Sequence, residues 1–123
     1  MLFRSQSAQQ QIIELLEPGL AVETYHKQSD EIIKRALLDV KLITGMDDEK
    51  GFRLRFPHAI SHGLGVDVHD PLGRPRTFQP GMVLTVEPGI YIPSEGIGVR
   101  IEDDILITEN GHRNMSAKLS TEL

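Results

Sequence analysis

Met82-Val-Leu-Thr-Val-Glu-Pro-Gly-Ile-Tyr-Ile92, with Gly98-Val-Arg-Ile-Glu-Asp-Asp-Ile-Leu-Ile-Thr108 close behind it, decides the fold class of this chain. Short apolar runs rich in β-branched residues and punctuated by Pro and Gly mark strands joined by turns. They predict strands over 82–86, 90–92, 98–102 and 105–108. Upstream, Val66 and Val68 alternate with Asp67 and His69 in a further extended segment, and 71–80 reads as an irregular loop. Downstream, the residues from Asn110 onward run into a polar tail expected to fray.

Before residue 51 the apolar period is helical. Ile12, Leu15, Leu16 and Leu20 fall roughly on one face of a first helix, expected to end near Pro18-Gly19 because proline disfavours helical geometry in the residue before it. A second helix is expected to begin after Val22, with Tyr25, Ile32, Ile33, Ala36, Leu37, Val40 and Leu42 as its stripe, and to stop before Gly45, a natural C-terminal cap. Residues 46–51 read as a polar connection. The layout is α+β in one domain over 1–123: a helical part (1–50), a β-rich antiparallel part carrying the site (51–116) and a tail (117–123).

Composition bounds the function. The 123 residues are enough to bury a core, and 39% hydrophobic with 25% charged residues is a globular balance. A formal net charge of -5 weighs against nucleic acid or an anionic membrane as the main partner. The absence of cysteine excludes disulfides, zinc–thiolate sites and thiol catalysis, and fits a reducing compartment. No apolar run approaches the roughly 18 residues that span a bilayer, and the N-terminus lacks a signal-peptide pattern. The expected location is the cytoplasm.

The β-rich part carries ionisable groups at a high density. His58, His62 and His69 lie within twelve residues, Glu87 closes an apolar strand, Arg100 and Glu102 share a strand face, and Asp103 and Asp104 follow at once. Singly, each has an ordinary explanation, a surface histidine or an Arg–Glu pair on a solvated face. Together they are costly to fold unless something binds between them, and consecutive carboxylates repel without a cation or arginine nearby. Imidazole with carboxylates suits a hard-to-borderline divalent ion such as Mn, Fe, Co or Zn. In an extended strand His58 and His62 share a face while His69 takes the other, so a bend at the intervening glycines is needed to gather all three.

These stretches resemble the catalytic domain of the Xaa-Pro aminopeptidases (aminopeptidase P), within the pita-bread metallopeptidases. The matching residues are Pro57-His58-x-x-Ser61-His62-x-Leu64-Gly65-x-Asp67-Val68-His69-Asp70, Pro80-Gly81 through Val86-Glu87-Pro88-Gly89-x-Tyr91-Ile92, and Gly96-Ile-Gly98-Val-Arg100-Ile101-Glu102-Asp103-Asp104 through Thr108. The resemblance implies the C-terminal half of a pita-bread fold, two helices followed by a curved antiparallel sheet. It implies His62, Glu87 and Glu102 as metal ligands, with Glu102 the carboxylate that bridges two ions. His58 and His69 would hold the scissile carbonyl and the tetrahedral intermediate, Arg100 would steady the carboxylates, and Glu87 would also carry a proton. The implied reaction is hydrolysis of the N-terminal peptide bond preceding proline by a metal-activated hydroxide. Manganese is the expected ion, and a peptide with proline at its second position the expected partner.

The resemblance is incomplete. The family takes two aspartate ligands from a hairpin ahead of the helices, and here the chain opens in the first helix. Asp30, Asp39, Asp47 and Asp48 lie on or after the second helix and do not fill those roles. One weakly held ion at most, little or no peptidase activity alone, and self-association as a homodimer or with a missing N-terminal half are therefore expected. A prolidase-type dipeptidase fragment and a non-catalytic peptide- or protein-binding module stay open as alternatives.

Overall fold

The computed structural model describes residues 2–65 and 76–119. The alternating segment with Val66, Val68 and His69, the first residues of the 71–80 loop, and residues 120–123 lie outside the described residues. Among the described residues three helices, α1 (Leu2–Glu14), α2 (Val22–Asp39) and α3 (Glu49–Arg55), precede five strands. These are β1 (Val83–Val86), β2 (Gly89–Ile92), β3 (Ile97–Arg100), β4 (Asp103–Thr108) and β5 (Gly111–Asn114). The architecture is α+β with antiparallel pairing throughout: β1-β4-β5 form one sheet and β2-β3 another.

The two sheets share one ribbon. The offset that pairs Val83 with Leu106 and Val86 with Asp103 also pairs Gly89 with Arg100 and Ile92 with Ile97. The chain thus runs out along β1 and β2, turns through a short 3-10 segment (Pro93–Glu95), and returns along β3 and β4 in unbroken register. Side chains alternate across it. Leu84, Val86, Ile90, Ile101, Ile105 and Ile107 are buried on one side, and all but Ile101 join one core cluster with Ile12 and Leu16 from the α1 region, Ile33 and Leu37 of α2, and Phe52 of α3. The opposite face carries Thr85, Glu87, Arg100, Glu102 and Asp104 in the same alternation.

Residues 60–64 form no regular strand, yet they line the free edge of β1. Glu87 N–H donates to Ile60 O (3.0 Å), Thr85 N–H to His62 O (2.9 Å) and Leu64 N–H to Val83 O (3.3 Å). A strand edge that would otherwise invite intermolecular pairing is covered in this way. Tyr25 of α2 anchors the same segment: its hydroxyl lies 2.7 Å from Ser61 Oγ, between the two histidines. Burial pushes the Tyr25 hydroxyl well above its ordinary titration range, with the Ser61 hydrogen bond pulling the other way.

Helix boundaries differ from the sequence expectation in three places. α1 ends at Glu14, and Leu15 and Leu16 continue as tight turns bonded to Ile12 O and Ile13 O, well ahead of Pro18. α2 ends at Asp39, before Val40 and Leu42, and the stop is not at Gly45. Instead Lys41 adopts a left-handed φ of 59, its N–H bonds Leu38 O (2.9 Å), and Leu42 N–H reaches Leu37 O (2.9 Å). This is a Schellman-type stop, with Leu42 packed on the core where a capping motif places an apolar contact. The connection over 46–51 is itself half helical, because Asp48 caps α3. Its carboxylate accepts from Gly51 N–H (2.9 Å), Thr44 N–H (3.0 Å) and Thr44 Oγ (3.1 Å). The backbone bonds from Thr44 and Gly51 hold that carboxyl below its usual range. Its contribution is thus present above the ordinary carboxylate pKa and lost as pH falls through the depressed one. Helical structure therefore extends past residue 50 to Arg55, with Phe52 and Phe56 buried beneath it.

The strands lie close to where the apolar runs put them, with β3 ending at Arg100 and β4 starting at Asp103. Ahead of the tail expected to fray, the stretch from Asn110 contains β5, paired to β4 through Ile107 with His112, and His112 Nδ1–H donates to Leu16 O at 2.8 Å. Lys41 occupies a conformation that costs an L-residue about 1 kcal/mol relative to glycine. Replacing it, Lys41→Gly, is expected to raise stability by up to about 1 kcal/mol, read as a higher denaturant midpoint with an unchanged slope.

Candidate metal centre

The ribbon loses regular strand geometry at two joints, Glu87-Pro88 between β1 and β2, and Ile101-Glu102 between β3 and β4. Pro88 has no N–H to give the ladder. The conserved offset places Glu87 opposite Glu102, and the long bond from Ile101 N–H to Pro88 O (3.4 Å) is what holds the strands across the gap. Two carboxylates therefore face each other on the polar side, where like charges directly opposite are destabilising. Glu102 was expected within a strand; it stands in this joint instead.

His62 meets the pair from the segment beside β1. Its Nε2 is 3.3 Å from Glu87 Oε1 and 3.9 Å from Glu102 Oε1. One donor atom from each of His62, Glu87 and Glu102 falls within 4.8 Å of the others. His62 Nδ1 lies 3.0 Å from Gly63 O, a group that can only accept, so in the neutral ring the proton sits on Nδ1 and the Nε2 lone pair faces the carboxylates. That outer hydrogen bond is of the kind that orients an imidazole ligand. Arg100 closes the cluster, Nη1 at 3.6 Å from Glu87 Oε2 and Nη2 at 3.9 Å from Glu102 Oε2. Glu87 is buried, whereas the side chain of Glu102 is 39% exposed and faces the open side.

Thr85 is the member that sequence reasoning missed. Wholly buried on β1, its hydroxyl accepts from His62 N–H (3.0 Å) and donates to Glu87 Oε1 (3.2 Å). It links the backbone of one candidate ligand to the carboxylate of another. The only sequence signal was its place two residues before Glu87, on the same strand face.

His58 stands apart from this cluster, with Tyr91. Its Nδ1 lies 2.8 Å from Ala59 O and its Nε2 3.0 Å from the Tyr91 hydroxyl. Nδ1–H therefore donates to the carbonyl and, in the neutral ring, the Tyr91 hydroxyl donates to Nε2. The Tyr91 ring lies across Gly89 and Gly98, where an added Cβ would come within 2.7 and 2.6 Å of it. Gly89, which the sequence put in a turn, and Gly98, which it put at the start of a strand, are what give Tyr91 room to reach His58. His69 is outside the described residues. The structure thus brings His62, Glu87, Glu102 and Arg100 together and leaves His58 in a neighbouring pair.

The comparisons with known proteins agree on one family. The sequence profile of metallopeptidase family M24 matches residues 4–109. The chain belongs to metallopeptidase family M24. The Xaa-Pro aminopeptidase 1 of Streptomyces coelicolor is 40% identical over 131 residues, covering 91% of this chain and 27% of the relative. The Xaa-Pro aminopeptidase of Haemophilus influenzae is 36% identical, covering 94% of this chain and 31% of the relative. Zinc-substituted Escherichia coli aminopeptidase P in complex with product superposes with a TM-score of 0.85 at 35% identity, over 98% of this chain and 31% of that one. This M24 chain therefore has part of the pita-bread fold of aminopeptidase P, and spans less than a third of the length of these relatives. No helix among the described residues is long and apolar enough to cross a membrane.

If the Thr85 hydroxyl orients both candidate ligands, Thr85→Val, which keeps the shape and removes the hydroxyl, lowers divalent-metal affinity by about tenfold or more. Thr85→Ser stays near the parent. Isothermal titration with Mn2+ on the three proteins decides it, and equal affinities would refute the role.

Proposed function

We propose that this chain is the C-terminal half of an Xaa-Pro aminopeptidase catalytic domain, holding a partial metal site. The observation that carries the reading is the convergence of His62 Nε2, Glu87 and Glu102 within 4.8 Å, with the two carboxylates opposed in the ribbon. A lone pair and two carboxylates form an acceptor-rich cluster, and half-exposed Arg100 offsets only one charge. The donor set fits a divalent cation of the hard-to-borderline class, manganese in our reading. His62, Glu87 and Glu102 would hold it, and when bound it supplies charge stabilisation for an oxyanion and lowers the pKa of water.

The chain's own residues then take distinct parts. Glu87, the buried carboxylate, is the proton carrier. Arg100 screens the two carboxylates from each other and keeps them at the site. His58, its ring fixed by Ala59 and Tyr91, is the candidate together with His69 for holding the scissile carbonyl of a peptide with proline at its second position. Three donors are fewer than two ions require. We therefore expect single-ion binding and little or no turnover from the 123-residue chain alone. In our reading it works in the cytoplasm, paired with a second copy or with the complementary half of the domain. The outer edge of β5 and the exposed side chains of Ile97, Met115 and Leu119 support such pairing.

The test joins Mn2+ titration with hydrolysis of an Xaa-Pro peptide, run beside Glu102→Ala. The expected result is one ion per chain, weakened at least tenfold in Glu102→Ala, with hydrolysis at the blank rate. Metal-dependent turnover that Glu102→Ala abolishes would show a complete site and overturn the half-site reading. Binding that ignores Glu102→Ala would remove the metal assignment. Size-exclusion chromatography with light scattering should give a dimer, and a strict monomer would sink the pairing.

A further inference from the structure

α1 looks like an ordinary core helix, with Ala8, Ile12 and Ile13 buried, but one turn of it is polar where it should not be. Ser5 and Gln9 are 1% and 4% exposed, four residues apart on one helix face. A buried polar side chain is costly unless it is hydrogen-bonded, so its partner is worth identifying. Both partners lie at the same joint of the ribbon, more than seventy residues away in sequence. Gln9 Nε2–H donates to Val86 O at 3.2 Å, and Ser5 Oγ–H donates to Pro88 O at 3.1 Å. These are the carbonyls immediately before and after Glu87.

The joint needs such support. Two carboxylates face each other there, Pro88 gives the ladder no N–H, and the cross-ribbon bond that remains, from Ile101 N–H to Pro88 O, is long at 3.4 Å. Repulsion between Glu87 and Glu102 pushes the two joints apart, and because Glu87 is buried, displacement of the 86–88 backbone is one way for the joint to yield. The Ser5 and Gln9 bonds brace that backbone from the helix side, while Glu87 N–H is held by Ile60 O from the edge.

We infer that Ser5 and Gln9 are positioning residues of the metal centre: α1 clamps the carbonyls of the residues on either side of Glu87 and so fixes where its carboxylate points. The inference rests on the metal-site reading above and adds an element to it that lies outside the site. It accounts for a polar stripe that neither helix packing nor solvent exposure explains.

The experiment uses Co2+, whose visible absorption reports ligand geometry as well as occupancy. Titrations compare the parent chain with Ser5→Ala, Gln9→Met and the conservative Ser5→Thr. A control variant in the α2 core, Ile33→Val, sets how far loss of general stability alone moves the titration. The expected result is a loss of Co2+ affinity of about tenfold in Ser5→Ala and in Gln9→Met, with altered band positions. Ser5→Thr should retain parent affinity and spectrum, and so should Ile33→Val. Should Gln9→Met fail to fold, the Ser5→Ala and Ser5→Thr pair still decides the matter. Parent-like affinity and spectrum in Ser5→Ala and Gln9→Met, with the parent binding Co2+, would overturn this inference alone. A matching loss in Ile33→Val would overturn it as a mere stability effect. No Co2+ binding by the parent would overturn the metal reading and this inference with it.

Discussion

Two glutamates facing each other across an antiparallel ribbon are the constraint on which the rest of this structure depends. With donor atoms less than 5 Å apart, two ionised carboxylates repel by about 1 kcal/mol in water and several times that at the edge of a protein. A chain that puts them there must hold the backbone firmly on both sides. Here β1 is bonded to β4 on one edge and to residues 60–64 on the other, so its last turn of ladder before Glu87 is covered on both edges. The same edge bonding delivers His62 to the gap, since the register that sets Ile60 against Glu87 also sets His62 against Thr85.

The helices are arranged around that requirement. α2 reaches the histidine segment through Tyr25 and Ser61, and the end of the α1 region is tied to β5 by His112 and Leu16 O. Phe52, Phe56 and Phe78 fill the space beneath, with Phe78 edge-on to Tyr25 at 5.3 Å between centroids. The apolar side of the ribbon does the cohesive work, and the polar side can then carry charge without being asked to stabilise the fold. Alternation along 84–87 and 100–105, broken at Asp103, largely separates the two tasks.

Much of this was legible in the sequence, and the illegible parts have definite reasons. β1 and β2 announced themselves because each is an apolar run followed by Pro, and β4 because of its Ile105-Leu-Ile107 run. β5 did not, because Gly111-His-Arg-Asn114 pairs through its backbone and offers no apolar pattern. α3 was hidden by Gly51 in its middle and by a polar start, and Asp48 alone marked its cap. The stop at Lys41 was invisible because that position favours glycine and lysine tolerates it only when two backbone bonds and the Leu42 contact hold it there. The candidate ligands stood out by residue type, but their opposition did not. Which residue of 82–92 faces which of 97–107 depends on a turn whose length the sequence states and whose geometry it does not. The roles of Thr85, Tyr91, Ser5 and Gln9 were missed for one common reason: each reaches a distant partner by a hydrogen bond, and such bonds leave no period in the chain.

The electrostatics of the cluster explain why Arg100 cannot substitute for a cation. With both carboxylates ionised, one guanidinium leaves the group with a net negative charge. Its contacts at 3.6 and 3.9 Å are ion pairs rather than the short bidentate bonds that a committed arginine makes. Half exposed to solvent, it contributes little energy to the pair. In the neutral ring with Nδ1–H on Gly63 O, the imidazole adds no positive charge and points a lone pair inward. An arrangement built only for stability would have placed a donor at that position, or replaced one glutamate by an apolar residue at little cost. Keeping two acids and a lone pair together, on a face the core does not need, makes physical sense when the cluster is completed by a dication, and the open side at Glu102 is where the remaining ligands of such a site would approach.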